Sequence, residues 1–199
     1  TCASSTREEV HAVIDRLKEE GIENILALRG DIPKDASFPI PGQYHYASEL
    51  IRDIKEQGDF CIGAACYPEG HVESASKNED ILHLKEKVDC GVDFLTTQMF
   101  FDNEKYYAFV ERCRQEGIEV PIIPGIKPVV FKNQLNVLPK VFRTDIPEAF
   151  ASELRKCTTD EEVKAVGVEW CKAQCKDLLA HGAPGLHFYT FMASDSVYK

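Results

Sequence analysis

The run Asn24-Ile25-Leu26-Ala27-Leu28-Arg29-Gly30-Asp31 decides the fold. Ile25 to Leu28 are apolar, and the run ends in a cation, a glycine and an anion, with Pro33 close behind. A strand of a parallel sheet is covered on both faces, so it reads as a continuous apolar run with polar residues only where it emerges. The stretch is therefore read as a short, fully buried strand. In α/β architectures its emerging C-terminal end lies at the edge where ligands bind.

The flanking sequence repeats the same grammar. Thr6-Arg7-Glu8-Glu9 is a capping box that opens a helix, and Val10, Val13, Ile14 and Leu17 give it one apolar face. Gly21 ends that helix as a left-handed cap. A helix around 47–56 stops at Gly58 and leads into Phe60–Cys66. A third, with Ile81, Leu84 and Val88, stops at Gly91 before Phe94–Thr97. A fourth, with Tyr106, Phe109, Val110 and Cys113, stops at Gly117 before Pro121–Ile123. A long one from about Asp160 ends at His181-Gly182 before Leu186–Thr190. Helix, glycine and strand thus occur five times, which implies parallel pairing through right-handed crossovers. A (β/α)8 (TIM) barrel is favoured over an open sheet, because polar residues follow nearly every strand. About sixty residues separate the strands at Pro121 and Leu186, and they read as extra helices near 131–142 and 147–156 before the long one, decorating the barrel mouth.

The 199 residues are read as one domain, 1–199, and five strands fall short of a complete barrel, which takes about 250 residues. Thr1-Cys2 is read as the tail of a sixth strand and Ser194–Tyr198 as the start of another helix, so the chain is expected to be the last five or six units of a larger barrel. A net charge of −10 argues against general affinity for nucleic acid or an anionic membrane. No apolar run approaches the roughly 20 residues of a membrane span, and no signal peptide opens the chain. The eight cysteines include no Cys-x-x-Cys pair; Cys171 and Cys175 are one helical turn apart, with no second pair to complete a metal site. They are read as reduced, packed thiols of a cytoplasmic protein. An incomplete barrel also leaves sheet edges unpaired, so self-association is expected.

The strand ends supply Arg29, Asp31, Tyr67, Glu69, His71, Gln98, Asp102, Lys127, His187 and Tyr189. Together they make a polar ligand site. Each also has a plainer reading: Arg29 and Asp31 pair with each other, His71 caps the next helix, Gln98 satisfies backbone, Lys127 is a solvated loop lysine, and His187 is a core histidine. No nucleophilic triad and no phosphate-binding glycine loop is present.

Several motifs together resemble one family, the flavin-dependent methylenetetrahydrofolate reductases. They are Ala27-Leu28-Arg29-Gly30-Asp31-Ile32-Pro33, Tyr46-Ala47-Ser48-Glu49-Leu50, Ala64-Ala65-Cys66-Tyr67-Pro68-Glu69-Gly70-His71, the stretch Asp80–Gly91, Thr97-Gln98-Met99-Phe100-Phe101-Asp102, Pro124-Gly125-Ile126-Lys127-Pro128 and Leu186-His187-Phe188-Tyr189-Thr190. The resemblance implies a barrel with FAD at its C-terminal rim, NAD(P)H as reductant and 5,10-methylenetetrahydrofolate as substrate, in a homo-oligomer. It places FAD contacts on Arg29, Gly30, Asp31, Tyr46, Ala47, Tyr67, His71, Asp80, His83 and Lys87, with His83 where asparagine is common. It assigns catalytic and substrate contacts to Asp31 and Gln98, and a further folate contact to Gln134. Asp31 would tune the flavin and stabilise a cationic form of the folate.

Two departures from the family pattern stand out. The family's general-acid glutamate lies on a strand before the matching region, so the chain alone is expected to be inactive. Met192-Ala193 replaces the usual Asn-Arg, which removes the expected folate-anchoring arginine. The competing readings are a flavin-free barrel lyase, a pterin-binding methyltransferase subunit, and a non-catalytic flavin-binding partner.

Overall fold

The computed structural model describes residues 1–32, 42–190 and 194–198. Helix α1 (Arg7–Glu19) starts on the expected box: Thr6 Oγ1 accepts from Glu9 N at 3.2 Å, and Glu9 Oε2 accepts from Thr6 N at 2.9 Å. Then follow β1 (Asn24–Ala27), α2 (Ala47–Gln57), β2 (Cys61–Cys66), α3 (Lys77–Asp89), β3 (Phe94–Met99), α4 (Asn103–Gln115) and β4 (Ile122–Ile126). Helices α5 (Gln134–Phe142), α6 (Glu148–Lys156) and α7 (Asp160–Ala180) precede β5 (His187–Phe188). Four of the five helix-ending glycines, Gly21, Gly91, Gly117 and Gly182, do take positive φ. Gly58 instead is extended, with φ 179°.

The strands form one parallel sheet in the order β1-β2-β3-β4-β5. Neighbours in space are neighbours in sequence. Every crossover therefore winds the same way and the helices fall on one side, as in a barrel and unlike a sheet whose order reverses at a switch point. Ala27, Ile62, Ala64, Cys66, Leu95, Ile122 and Ile126 point to that side and share one core with Leu50, Ile54, Leu84, Phe109 and Leu178. The opposite, concave face receives the alternate residues.

Three expectations need correction here. The opening strand is not buried on both faces: Ala27 is, but Asn24 is exposed and Leu26 is 45% exposed. Its only partner among the described residues is β2, so Leu26 stands on the uncovered concave side. Thr1-Cys2 is not strand. Cys2 N and Ala3 N both donate to Arg29 O, at 2.9 and 2.8 Å, and cap the exit of β1. Near the C-terminus only a 3-10 turn, Ser194–Ser196, is described.

The extra helices sit where expected. Met99 and Phe101, at and just beyond the end of β3, and Val129 after β4 form a second core with Leu138, Phe150, Leu154 and Val163. Phe150 stacks on Trp170 at 4.6 Å, and Trp170 Nε1 donates to Phe101 O at 3.1 Å. All eight cysteines are free. Cys171 and Cys175 Sγ lie 4.0 Å apart, and no group of three or more metal-ligating side chains forms among the described residues. None of the described helices is long and apolar enough to cross a membrane.

Asp53 on α2 ties the first helical layer together. It accepts from Tyr44 Oη, from Gln57 Nε2 at 3.2 Å and from Arg7 Nη1 at 3.2 Å, and it meets His11 Nε2 at 3.0 Å. Burial alone would raise its pKa, but the bonds from Tyr44 and His11 outweigh that and lower it below 3.8. A carboxyl whose folded pKa is depressed stabilises the fold above its unfolded pKa and loses that contribution as pH falls through the folded value. Urea unfolding should therefore show an acid loss of stability below about pH 3.8 that Asp53→Ala reduces, together with a loss of about 1–2 kcal/mol at pH 7 from the broken charged hydrogen bonds.

Candidate functional site

The exits of β1 and β2 and the face of α3 bring five of the expected residues together. Arg29 leaves β1 with its guanidinium held by Glu73, not by Asp31: Nη1 and Nη2 donate to the two carboxylate oxygens at 2.8 and 2.7 Å. Tyr67 ends β2, and His71 packs edge-on against its ring at 4.6 Å. Asp80, in the first turn of α3, fixes the loop between them. Its Oδ2 accepts from His71 N at 3.2 Å and its Oδ1 from Ser74 Oγ at 2.8 Å. Lys87, two turns on, donates to Ala65 O at 2.8 Å.

These groups share one electrostatic environment. Burial pushes the Tyr67 phenol up to about 12, with Asp80 and Asp31 adding to the rise and Arg29 opposing it. Burial holds the His71 imidazole below its ordinary value, so it is neutral near pH 7, with Glu73 and Asp80 opposing the shift and Arg29 and Lys87 reinforcing it. Burial also lowers the Lys87 ammonium, against the pull of Cys66 and Asp80. A cavity of about 250 Å³ opens beside Tyr67 and Asp80, with Ile81 and Phe109 in its wall. His71 is not the cap of α3, as its plainer reading had it: Ser76 caps the helix, accepting from Glu79 N at 3.2 Å.

A second group lines the concave face at the ends of β3, β4 and β5. Gln98 lies inside β3, not after it, in a stretch where the register with β4 shifts. Its Oε1 accepts from Met99 N at 3.0 Å. Tyr189 Oη donates to Thr97 O at 2.8 Å, and His187 meets the Tyr189 ring edge-on at 4.7 Å. Burial keeps the His187 imidazole below its ordinary value and drives the Tyr189 phenol up to about 12. Lys127, read as a solvated loop lysine, is only 8% exposed, and burial lowers its ammonium pKa. It follows Ile126 directly, so the alternation of β4 sends it to the concave side. No sequence signal marks that burial.

Six expected residues stand apart. Tyr46 and Ala47 open α2, with Tyr46 64% exposed, and His83 is exposed on α3; no hydrogen bond among the described residues ties Tyr46 or His83 to the cluster. Gln134 spends its side-chain oxygen on the loop before α5, accepting from Val130 N at 2.7 Å and Phe131 N at 3.0 Å. Asp102 is likewise a cap, accepting from Glu104 N at 3.1 Å. Glu69 is held by Lys105 Nζ at 2.5 Å and by Asp145 N at 3.0 Å, a structural tie from the β2 loop to the residues after α5. Met192 and Ala193 lie outside the described residues, as does Pro33.

Two polar groups at strand exits, one against α3 and one on the concave face, fit many barrel enzymes. The comparisons decide among them: the family model described as methylenetetrahydrofolate reductase matches residues 1–199. The chain belongs to the methylenetetrahydrofolate reductase family. It is 40% identical over 202 residues to methylenetetrahydrofolate reductase 1 of Schizosaccharomyces pombe, a match that covers 99% of this chain and 33% of that protein. It is 38% identical over 199 residues to the 5,10-methylenetetrahydrofolate reductase of Escherichia coli, covering 100% of this chain and 66% of the relative. The chain thus spans about a third of the yeast relative's length and just under two thirds of the bacterial one. A solved structure of an uncharacterized protein from Clostridium thermocellum, described as binding two copies of 5-methyl-5,6,7,8-tetrahydrofolic acid, shares the fold. It has a TM-score of 0.51 and 16% identity, and covers 93% of this chain and 83% of its own.

The first cluster has groups that could hold a dinucleotide. Arg29 supplies a guanidinium already engaged by an anion in the forked geometry that also suits a phosphate. Lys87 adds a second cation, and Tyr67, His71 and Asp80 add neutral and anionic hydrogen-bonding groups. The residues present fit the group.

Proposed function

We propose that this chain forms the cofactor- and pterin-facing part of a reductase that converts 5,10-methylenetetrahydrofolate to 5-methyltetrahydrofolate with NAD(P)H, through FAD. The family match along the whole chain carries the reading. Held there, the flavin would supply the chemistry of hydride transfer between a nicotinamide and the folate's methylene carbon. In this reading Arg29 and Lys87 bind the pyrophosphate-ribose portion, with Asp80 holding His71 in place beside it. The exposed Asp31 carboxylate at the β1 exit stabilises positive charge on the folate as the hydride arrives. Gln98 orients the pterin from the concave face, with Tyr189 packed beside β3 to fix the backbone that carries it. The free thiols support a reducing, cytoplasmic setting.

Flavin uptake tests the proposal. The purified chain titrated with FAD is expected to turn yellow and to quench flavin fluorescence at a one-to-one ratio. A colourless, flavin-refractory protein overturns it. The folate-binding Clostridium neighbour supports a second reading, in which the same fold seats a reduced folate without flavin. Binding of 5-methyltetrahydrofolate by a protein that refuses FAD would favour that alternative.

A further inference from the structure

Arg29 and Glu73 are unequal partners. The arginine side chain is 18% exposed, and its backbone carbonyl is fixed by the amides of Cys2 and Ala3. The glutamate side chain is 51% exposed. Glu73 sits on a short arch between two anchors, because Asp80 holds His71 N on one side and Ser74 Oγ on the other. Only Val72 and Glu73 span the gap, and both are exposed. Glu73 N also donates to His71 Nδ1 at 3.2 Å. Ser74 N donates to His71 O at 3.2 Å and closes the arch as a turn. Swinging Glu73 out of this turn would withdraw its carboxylate from Arg29 and its amide from His71 Nδ1 together.

We propose that Glu73 is an internal stand-in for the pyrophosphate of a dinucleotide: it engages Arg29 through the same fork, and the ligand binds by displacing it. The inference rests on Arg29 being a cofactor contact, as proposed above. The two oxygens of a carboxylate and two oxygens of a phosphate engage the guanidinium fork alike, but the pyrophosphate carries more charge. An ion pair with a half-exposed partner is also weakly held against exchange. Glu73 thereby sets the affinity of the site, selects for ligands with enough charge to displace it, and couples Arg29 to His71.

The test compares the chain with its Glu73→Gln variant in two measurements. FAD titration followed by flavin fluorescence is expected to show the variant binding about three- to tenfold more tightly. Arg29 labelling by phenylglyoxal, read by peptide mass spectrometry, is expected to be several-fold faster in the variant. In the unaltered chain, FAD or inorganic pyrophosphate should protect Arg29. Weaker or unchanged FAD binding by the variant overturns the proposal and makes Glu73 a support for Arg29, and an unchanged labelling rate overturns it regardless of flavin. If neither protein takes up FAD, the cofactor reading fails, and pyrophosphate protection of Arg29 decides the displacement by itself: protection upholds it and its absence overturns it.

Discussion

Gly125→Ala is expected to cost about 3 kcal/mol of stability, at the upper end of what overpacking a core causes, because the clash is with backbone. A Cβ at that position would lie 2.1 Å from Thr97 O and 2.7 Å from Tyr189 Cε2. The close approach is built in. Gly125 N donates to Thr97 Oγ1 at 2.8 Å, while Tyr189 Oη donates to Thr97 O at 2.8 Å from the other side. Gly125 pairs with Met99 on β3 and with His187 on β5, so the added methyl must push apart three strands at the level where Gln98 emerges. Relief requires the carbonyl of Thr97 to move, and that carbonyl belongs to the chain that aims Gln98.

At about 2–4 °C per kcal/mol for a chain of this size, thermal unfolding should shift down by about 6–12 °C. Gly63→Ala is the matched control. The three atoms nearest its Cβ all belong to the Phe94 ring, the first at 2.4 Å, and a ring can swing where a carbonyl cannot. A loss no larger at Gly125 than at Gly63 would show that β3 yields and that the three-strand contact does not fix the site.

The difference between these glycines also marks where sequence reading stops. The five repeats of helix, glycine and strand were legible because apolar spacing and caps are local. The Thr6–Glu9 box closes as read, and the helices near 131–142 and 147–156 are found at Gln134–Phe142 and Glu148–Lys156. Strand exposure is not local. Four apolar residues in a row look the same whether or not a neighbour covers Leu26, and only the sheet order reveals that β1 has a single partner among the described residues.

Charged and amide side chains misled for a related reason. Lys127 carries the residue type of a solvated loop, yet the alternation of β4 turns it inward. The side-chain oxygen of Gln134 is spent on the loop before its helix, a contact that its residue type does not announce. Glu73 lies in a loop without periodicity, so nothing in the sequence pairs it with Arg29, 44 residues earlier. Strand ends pointed to Arg29, Tyr67 and His71, but Asp80 and Lys87 were reachable only through resemblance. Spacing alone could not have joined the exits of two strands to the face of a helix.

Gln98→Glu is expected to weaken binding of 5-methyltetrahydrofolate by about 10- to 100-fold, roughly 1.4–2.8 kcal/mol, while leaving the fold intact. The orientation of the Gln98 amide is set by its neighbour. Met99 N can only donate, so the atom it meets at 3.0 Å must be the carbonyl oxygen, and the amide nitrogen is the end left for a ligand. Glutamate keeps an oxygen in place for Met99 N, and a charged acceptor strengthens that bond, so unfolding by urea should change by less than about 0.5 kcal/mol. What the substitution removes is the donor, replaced by a carboxylate facing whatever acceptor the pterin presents. Calorimetric titration of both proteins with 5-methyltetrahydrofolate separates the outcomes. Retained affinity in the glutamate variant would mean that no donor at Gln98 is used and that the pterin is oriented from another wall of the concave face. A loss that Gln98→Ala reproduces without exceeding would assign the effect to the missing donor itself, because alanine removes it without adding charge.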